Sequence, residues 1–560
     1  MSTVVEILTR LRRRIQKGLT AFTASTLLIH SGCAIDSPLR LNLQPEVDLP
    51  TRSAIVLWAD GMDHQRFDDL LASGRLPNIK RVFVDGGVTV ENGVDTLPSQ
   101  TYINGASLIT GRFAGRHGIT GNLWLDRQTL DSVYYLTLPT YLQSNEHLAG
   151  PTLFEILGDL FTLNIHCHTR RGVTHSIDLA GLSAFCFGLG AFITSDRLMC
   201  DRLTEAAAVA NQVKRWPSVL LIYGSGVDET GHLHGPDAPL YTEAIENIDT
   251  IVGRIDDAIE NAGLKDRTYF ILVSDHGMSP VRPDRINDLQ KWLQSHRRLR
   301  VRCEPLTGID YGRRLRELDH YDVFLAIGSD RAASIHIRGR AGWQKAPEPA
   351  EIEAFLTGSP SLIDIPAVDC AVFRDGPDRV RVLSSRGSAA IERRANDGIK
   401  TFRITELTGD PLGYEQDGRL SAFVAAGWHT SREWLAATAE AARPDFVPQV
   451  VEMFDSPRMG DCVLFAADEA AFSNHWRGGH GSCLRRDMHV VQLWAGPDLP
   501  AGGSIPYSRL VDVAPTIIGL LGEADRLKRI PSMDGVDLSK QIKTATPKRA
   551  PDHLTRIGSQ

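Results

Sequence analysis

Three apolar runs of the chain are each followed by an acidic residue, and this repeated pattern constrains the fold more than any other feature. The runs and their acids are Ala54 to Trp58 with Asp60, Val219 to Tyr223 with Asp228, and Tyr269 to Val273 with Asp275 and His276. Runs this apolar, bounded by turn residues, are typical of strands buried on both faces. Between them lie helical patterns, the clearest at Tyr241 to Ala262. The pattern predicts an α/β fold: a mostly parallel sheet with helices on both faces.

The composition is that of a soluble protein long enough for more than one compact unit. Of 560 residues, 42% are hydrophobic and 23% are charged, and the net charge of -7 argues against nucleic acid as a partner. Eight cysteines are scattered without a C-x-x-C pair, so the sequence predicts neither a disulfide framework nor a thiolate zinc site.

The N-terminus has the order of an export signal. Basic residues from Arg10 to Lys17 precede an uncharged stretch from Gly18 to Gly32, and Ser31-Gly32-Cys33 resembles the end of a lipoprotein signal. We expect residues 1–33 to direct export to the periplasm or cell envelope, with Cys33 as a candidate lipid anchor. The alternative is an amphipathic helix at the start of a cytoplasmic protein.

The rest of the chain divides into segments that differ in their sequence patterns. A polar linker is predicted at 34–52, a main domain at 53–280 and 458–540, and a polar tail at 541–560. Residues 281–457 alternate short strand patterns with turn signals, which indicates an inserted α+β subdomain. Such an insert either shapes access to a site or is a purely structural addition.

Acids and histidines follow several of the predicted strands. They are Asp60, Asp228, His232, Asp275, His276 and His480. In open α/β sheets the carboxyl ends of the strands are where ligands bind. Three carboxylates and three imidazoles suffice for two divalent ions, and mixed nitrogen and oxygen ligands favour zinc, with manganese as the alternative. Each residue alone also has an ordinary explanation as a turn or loop residue.

A pair of metal ions implies phosphate chemistry and requires a nucleophile. The segment TLPSQTYINGASLITG, residues 96–111, has the pattern of a turn entering a helix whose N-terminus favours an anion, and Thr101 stands at its mouth. A threonine oxygen on a metal needs no neighbouring base. The alternative for Thr101 is a helix N-cap.

The chain resembles the alkaline phosphatase superfamily, and within it the type I phosphodiesterase and nucleotide pyrophosphatase branch. The resemblance rests on ADGMD, PSQTYINGASLITG, RHGITGN, VDETGHLHGP, SDHGM and RGGHG in that order, and it covers about 54–280 and 458–522. It implies that one zinc lies among Asp60, Thr101, Asp275 and His276, and the other among Asp228, His232 and His480. It also implies that Asn122 donates to a phosphoryl oxygen, whereas Asn104 is expected to be structural.

The implied reaction is hydrolysis of a small-molecule phosphoester through a phosphothreonine on Thr101. Monoesterases of this superfamily that use threonine carry a lysine and an arginine separated by one residue. Here Thr169 stands at the lysine position and Arg171 at the arginine position. The missing lysine favours phosphodiesters or nucleotide pyrophosphates. Phosphomonoester or phosphonate hydrolysis on the same site remains an alternative, as does a non-catalytic binding protein. Arg171 is either a substrate contact or a surface arginine.

Overall fold

A computed structural model describes residues 50–306, 310–473 and 476–547. The predicted export signal, Cys33, most of the linker and residues 548–560 lie outside these ranges. Within them no helix is long and apolar enough to cross a membrane.

A nine-stranded sheet, called here the main sheet, forms the centre of the molecule. Its strands in spatial order are Thr546–Pro547, Gly503–Ile505, Val88–Val90, Gln492–Ala495, Thr268–Val273, Ser53–Ala59, Val219–Gly224, Thr162–Ile165 and His175–Ile177. The five strands from Thr268–Val273 to His175–Ile177 are all parallel, and Gln492–Ala495 runs antiparallel to its neighbours. The predicted mostly parallel sheet is confirmed. The three apolar runs that are followed by acidic residues are adjacent strands at its centre.

Alternate residues of the central strand point into two separate cores. Ile55 and Leu57 pack with helices Phe192–Val213 and Pro239–Asn261, whereas Val56 and Trp58 pack on the opposite side. That opposite core holds helices Thr101–Thr110 and Val513–Leu520. Because both faces are covered, the strands can be apolar throughout, and the predicted two-sided arrangement is confirmed.

The described part of the chain contains a dozen helices of eight residues or more, distributed over both subdomains. They are His64–Ala72, Thr101–Thr110, Ala180–Leu189, Phe192–Val213, Gly226–His234, Pro239–Asn261, Leu289–His296, Tyr311–Leu318, Pro349–Thr357, Gly418–Ala425, Ser431–Thr438 and Val513–Leu520.

A second nine-stranded sheet forms the inserted subdomain. Its order is Val301–Arg302, Val323–Ser329, Ala332–Ile337, Cys462–Ala466, Val368–Gly376, Arg379–Ser384, Gly387–Asn396, Ile399–Gly409 and His429–Thr430. Cys462–Ala466 pairs with Ala332–Ile337 on one side and with Val368–Gly376 on the other.

This pairing corrects the domain boundary predicted at 457, because a strand assigned to the second part of the main domain lies inside the insert. The chain returns to the main sheet only at Gln492–Ala495. The predicted tail at 541–560 also begins too early, since helix Ser539–Lys543 and strand Thr546–Pro547 belong to the folded main domain.

Candidate active site

The predicted acids meet at one edge of the main sheet. Asp60 directly follows strand Ser53–Ala59, and Asp275 and His276 follow strand Thr268–Val273. Asp228 and His232 lie one turn apart on helix Gly226–His234, which follows the third central strand. Since parallel strands end at the same edge, residues far apart in sequence become neighbours.

One group of side chains surrounds the Nε2 atom of His276. Thr101 Oγ1 lies 3.1 Å from this atom, Asp60 Oδ1 lies 3.2 Å away and Asp275 Oδ2 lies 3.5 Å away. All four side chains are buried. This is the first ligand set that the resemblance implies.

A second group lies beside the first. His232 Nε2 is 3.4 Å from Asp228 Oδ2 and 3.2 Å from His480 Nε2, and His480 Nε2 is 3.7 Å from Asp228 Oδ1. The rings of His276 and His480 stack with centroids 3.5 Å apart. The two groups are therefore contiguous, as a pair of ions about 4 Å apart requires.

His480 and Asp228 reach the site because glycines allow close backbone approach. The pairing of Ser279–Pro280 with Gly478–Gly479 places His480 beside the loop that carries His276. Gly61 has a φ of +66°, and a Cβ there would lie 2.6 Å from Asp228 Oδ1. A larger residue at position 61 would push Asp228 out of the site.

All three histidines are oriented by backbone carbonyls. The Nδ1 atoms of His232, His276 and His480 lie 3.0, 2.9 and 2.8 Å from the carbonyl oxygens of Gly478, Gly277 and Ser99. A carbonyl can only accept, so each Nδ1 carries a proton, and each Nε2 is the ring nitrogen directed into the site. This is the arrangement of metal-ligating histidines.

Each carboxylate of the site has one buried oxygen without a hydrogen-bond partner: Asp60 Oδ1, Asp228 Oδ1 and Asp275 Oδ2. Burial, reinforced by neighbouring carboxylates, raises the pKa of Asp60 and Asp275 well above the usual range, and burial raises the pKa of Asp228 to about 8. Burial also lowers the pKa of His480 well below its usual value, which keeps the ring neutral. Unpartnered carboxylate oxygens facing imidazole nitrogens fit divalent cations.

Thr101 is the first residue of helix Thr101–Thr110. The N-cap is Gln100, so the alternative of Thr101 as an N-cap is not what the structure contains. Its hydroxyl instead faces His276. The helix N-terminus at this point favours an anion.

Asn122 lies against the start of the same helix. Its Oδ1 accepts from the backbone N–H of Tyr102 at 3.2 Å, and its Nδ2 donates to the carbonyl of Gly328 at 3.2 Å. An amide nitrogen carries two hydrogens, so one donor remains for a ligand oxygen. Asn104 braces the preceding loop by accepting from Thr96 N and donating to Asp95, which is the expected structural role.

Arg171 does not join the cluster, and its candidacy as a substrate contact is corrected. Its guanidinium binds Glu155 at 2.9 Å and the carbonyls of Leu148 and Gly150. These contacts occupy the guanidinium in the packing around Glu155. The structure therefore supports the alternative of a surface arginine.

Two further residues that support the site are not evident from the sequence patterns. The hydroxyl of Tyr223 donates to the second oxygen of Asp60, and Asp487 connects several loops of the site. Tyr223 has a signal in the sequence, because it is the polar end of the apolar run Val219 to Tyr223. Asp487 has none, since its role depends on three-dimensional contacts alone.

Residues 54–321 match the sequence model of the family described as type I phosphodiesterase / nucleotide pyrophosphatase. Residues 54–321 are therefore similar to the proteins of that family. The resemblance to this branch of the alkaline phosphatase superfamily is thereby confirmed.

Curated relatives of the family match over a limited range. An uncharacterized pyrophosphatase/phosphodiesterase of Schizosaccharomyces pombe is 26% identical over 42% of this chain and 46% of its own length. Human ectonucleotide pyrophosphatase/phosphodiesterase family member 5 is 25% identical over 40% and 45%, and a Xenopus laevis bis(5'-adenosyl)-triphosphatase is 26% identical over 39% and 46%. The chain spans about half the length of the curated relatives it matches.

Solved structures agree on the fold. Murine ectonucleotide pyrophosphatase / phosphodiesterase 5 superposes with a TM-score of 0.54 over 88% of this chain and 99% of its own, at 15% identity. An inactive variant of that murine protein in complex with AMP gives a TM-score of 0.53. The chain therefore has the fold of these proteins.

Proposed function

We propose that the protein is a phosphoester hydrolase that uses Thr101 as its nucleophile and two divalent ions, with phosphodiesters or nucleotide pyrophosphates as substrates. One observation carries the proposal. The Thr101 hydroxyl lies at a helix N-terminus, 3.1 Å from His276 Nε2, in a group where one oxygen of each carboxylate lacks a hydrogen-bond partner. A hydroxyl in such a group is placed to attack phosphorus.

The donors favour zinc, with three imidazole nitrogens beside three carboxylates. Asp60, Thr101, Asp275 and His276 would hold one ion, and Asp228, His232 and His480 the other. When bound, the ions would lower the pKa of the Thr101 hydroxyl and neutralise charge that develops on the phosphoryl group.

The residues of the chain supply the remaining steps. Thr101 would lose its hydroxyl proton to solvent and attack phosphorus, and the alcohol or phosphate would leave and take up a proton from water. Water would then hydrolyse the phosphothreonine, which returns a proton to Thr101 Oγ1 and releases the second product. The free hydrogen of Asn122 Nδ2 would donate to a non-bridging oxygen, and the N-terminus of helix Thr101–Thr110 would stabilise the same charge.

Diesters are favoured over monoesters because the site lacks the lysine and the arginine that would neutralise the second charge of a monoester. Thr169 is fully buried at the position of the lysine, and Arg171 is held by Glu155. The names of known proteins point the same way: one relative is called a bis(5'-adenosyl)-triphosphatase, and a structural neighbour was solved with AMP. Export remains a prediction from residues 1–33.

The proposal is tested with bis(p-nitrophenyl) phosphate and p-nitrophenyl phosphate on zinc-loaded protein. We expect the diester to be the faster substrate, and Thr101→Ala to lose at least 10³-fold in kcat because the nucleophile is absent. Thr110→Ala, the same substitution at the other end of the same helix, is the control and should retain activity.

Other outcomes discriminate between the alternatives. Faster turnover of the monoester would contradict the diesterase assignment. No hydrolysis of either ester by metal-loaded protein would favour a phosphonate substrate or a binding protein.

A further inference from the structure

Asp487 connects three of the loops that carry residues of the candidate site, those of Thr101, His276 and His480. Its backbone carbonyl accepts from the N–H of Gly277 at 2.7 Å and from the hydroxyl of Ser99 at 3.0 Å. Its carboxylate accepts from the N–H of Ser482 at 2.7 Å and from the hydroxyl of Ser279. These donors are within three residues of Thr101, His276 and His480, so one buried residue ties all three loops together.

The inserted subdomain supplies the counter-charge. Arg331 lies in the turn between strands Val323–Ser329 and Ala332–Ile337, and both Arg331 and Asp487 are fully buried. Arg331 Nε donates to Asp487 Oδ2 at 2.9 Å. A buried carboxylate without such a partner would be strongly unfavourable, so the position of Asp487 depends on this arginine.

Arg331 also contacts the loop that carries His480 directly. Its Nη2 donates to Ser482 Oγ at 3.3 Å, and its backbone N–H donates to the carbonyl of His480 at 3.3 Å. Its Nη1 donates to the carbonyl of Ala470 at 2.7 Å. The planar guanidinium thus makes three separate contacts, which an ammonium group cannot reproduce in the same geometry.

The same turn touches the loop before Thr101. A Cβ on Gly328 would lie 2.8 Å from Gln100 Oε1 and 2.9 Å from Asn122 Cβ, so this backbone packs directly on the start of helix Thr101–Thr110. The segment 328–331 therefore contacts both the loop before Thr101 and the loop that carries His480.

We propose that Arg331 is a positioning residue through which the insert sets the spacing of the two ligand groups. The proposal rests on the proposed function and assigns the insert a part in the site beyond that of a structural addition. Arg331 acts on His480 and Thr101 through Asp487 and Ser482, and it does not itself contact substrate.

The test compares Arg331→Lys with Arg127→Lys. Arg127 belongs to a second largely buried pair between main domain and insert, with Asp461 at 2.5 Å, and its other hydrogen bonds are to the carbonyls of Trp343, Lys345 and Ile337. For each protein we would measure zinc affinity by competition with a chromophoric chelator, kcat and KM on the diester, and the unfolding temperature.

We expect Arg331→Lys to weaken zinc binding and to lower kcat at least tenfold with KM changed less than threefold. Arg127→Lys should lower the unfolding temperature while zinc affinity and kcat stay within twofold of wild type. Equal effects of the two substitutions on kcat and zinc affinity, or a folded Arg331→Lys protein with wild-type values, would overturn the proposal.

Ser279→Ala provides a milder variant in case Arg331→Lys does not fold. It removes only one hydroxyl that donates to Asp487, and we expect it to lower zinc affinity at least threefold, whereas an unchanged affinity would count against the proposal. Zinc affinity is read without turnover. A wild type that binds zinc but hydrolyses neither ester contradicts the proposed function and leaves the positioning test intact.

Discussion

At the scale of single residues, the site is held by neighbours that never appear among the ligands. Tyr223 donates its hydroxyl to the oxygen of Asp60 that faces away from His276, which leaves the other oxygen directed into the site. Backbone carbonyls do the same for the three histidines. Such outer contacts orient ligands and tune their basicity.

Tyr223→Phe should therefore weaken zinc binding about 10- to 100-fold, because Asp60 loses the donor that fixes its orientation. The measurement is chelator competition on the folded protein. The matched control is Tyr269→Phe, whose hydroxyl binds Asp498 at 2.6 Å away from the ligand groups and should leave zinc affinity unchanged. An unaltered affinity in Tyr223→Phe would show that Asp60 needs no such support.

Residue identities at strand ends could be predicted because position in an α/β sheet limits where ligands bind. Asp60, Asp275 and His276 follow directly from the apolar runs, and Asp228 with His232 follows from helical spacing. Arg331 could not be found in this way. Its role depends on the approach of two subdomains, and local sequence carries no information on that approach.

At the scale of elements, helix Gly226–His234 is anchored by a carboxylate outside the ligand set. Both oxygens of Asp196 accept from the N–H of Gly226 at 3.1 Å. Burial raises the pKa of Asp196 from its ordinary 3.8 to about 7. The first turn of the helix that carries Asp228 and His232 is thus held by a group that titrates near neutrality.

This predicts a pH dependence of stability. Because the folded protein keeps Asp196 protonated up to about pH 7 while the unfolded chain ionises near 3.8, the folded state binds more protons in between. The contribution of Asp196 to stability is full below pH ~4 and is lost as the pH rises through ~7.

Asp196→Asn removes this titration. Between pH 4 and pH 8 the free energy of unfolding should shift in favour of the variant, relative to wild type, by at most about 4 kcal/mol. Urea unfolding of both proteins across this range measures the shift. Parallel pH profiles would mean that Asp196 does not titrate as its burial indicates.

At the scale of the whole molecule, local sequence patterns do not show which of the two sheets a strand joins. The apolar segment Cys462–Ala466 forms a strand, but an apolar run does not say which sheet it joins. It pairs within the insert, so the predicted boundary at 457 was wrong. The main sheet was predictable because its alternation of strands and helices repeats along the chain.

The two ligand groups link the metal state to the stability of the whole main domain. They draw on three central strands and on the loop around His480, and they bury carboxylates that repel one another. Removing divalent ions with a chelator should lower the unfolding temperature, and zinc should restore it. Zinc at about 1,000 times its dissociation constant contributes about 4 kcal/mol. Differential scanning calorimetry on both forms measures the change, and identical unfolding temperatures would contradict the linkage.

The most direct test of the account is an anomalous difference map, recorded at the zinc edge, of crystals grown with zinc. We predict two peaks about 4 Å apart, one among Asp60, Thr101, Asp275 and His276 and the other among Asp228, His232 and His480. A map without peaks at these residues, or with both ions elsewhere, would contradict the two-ion site on which the proposed hydrolysis depends.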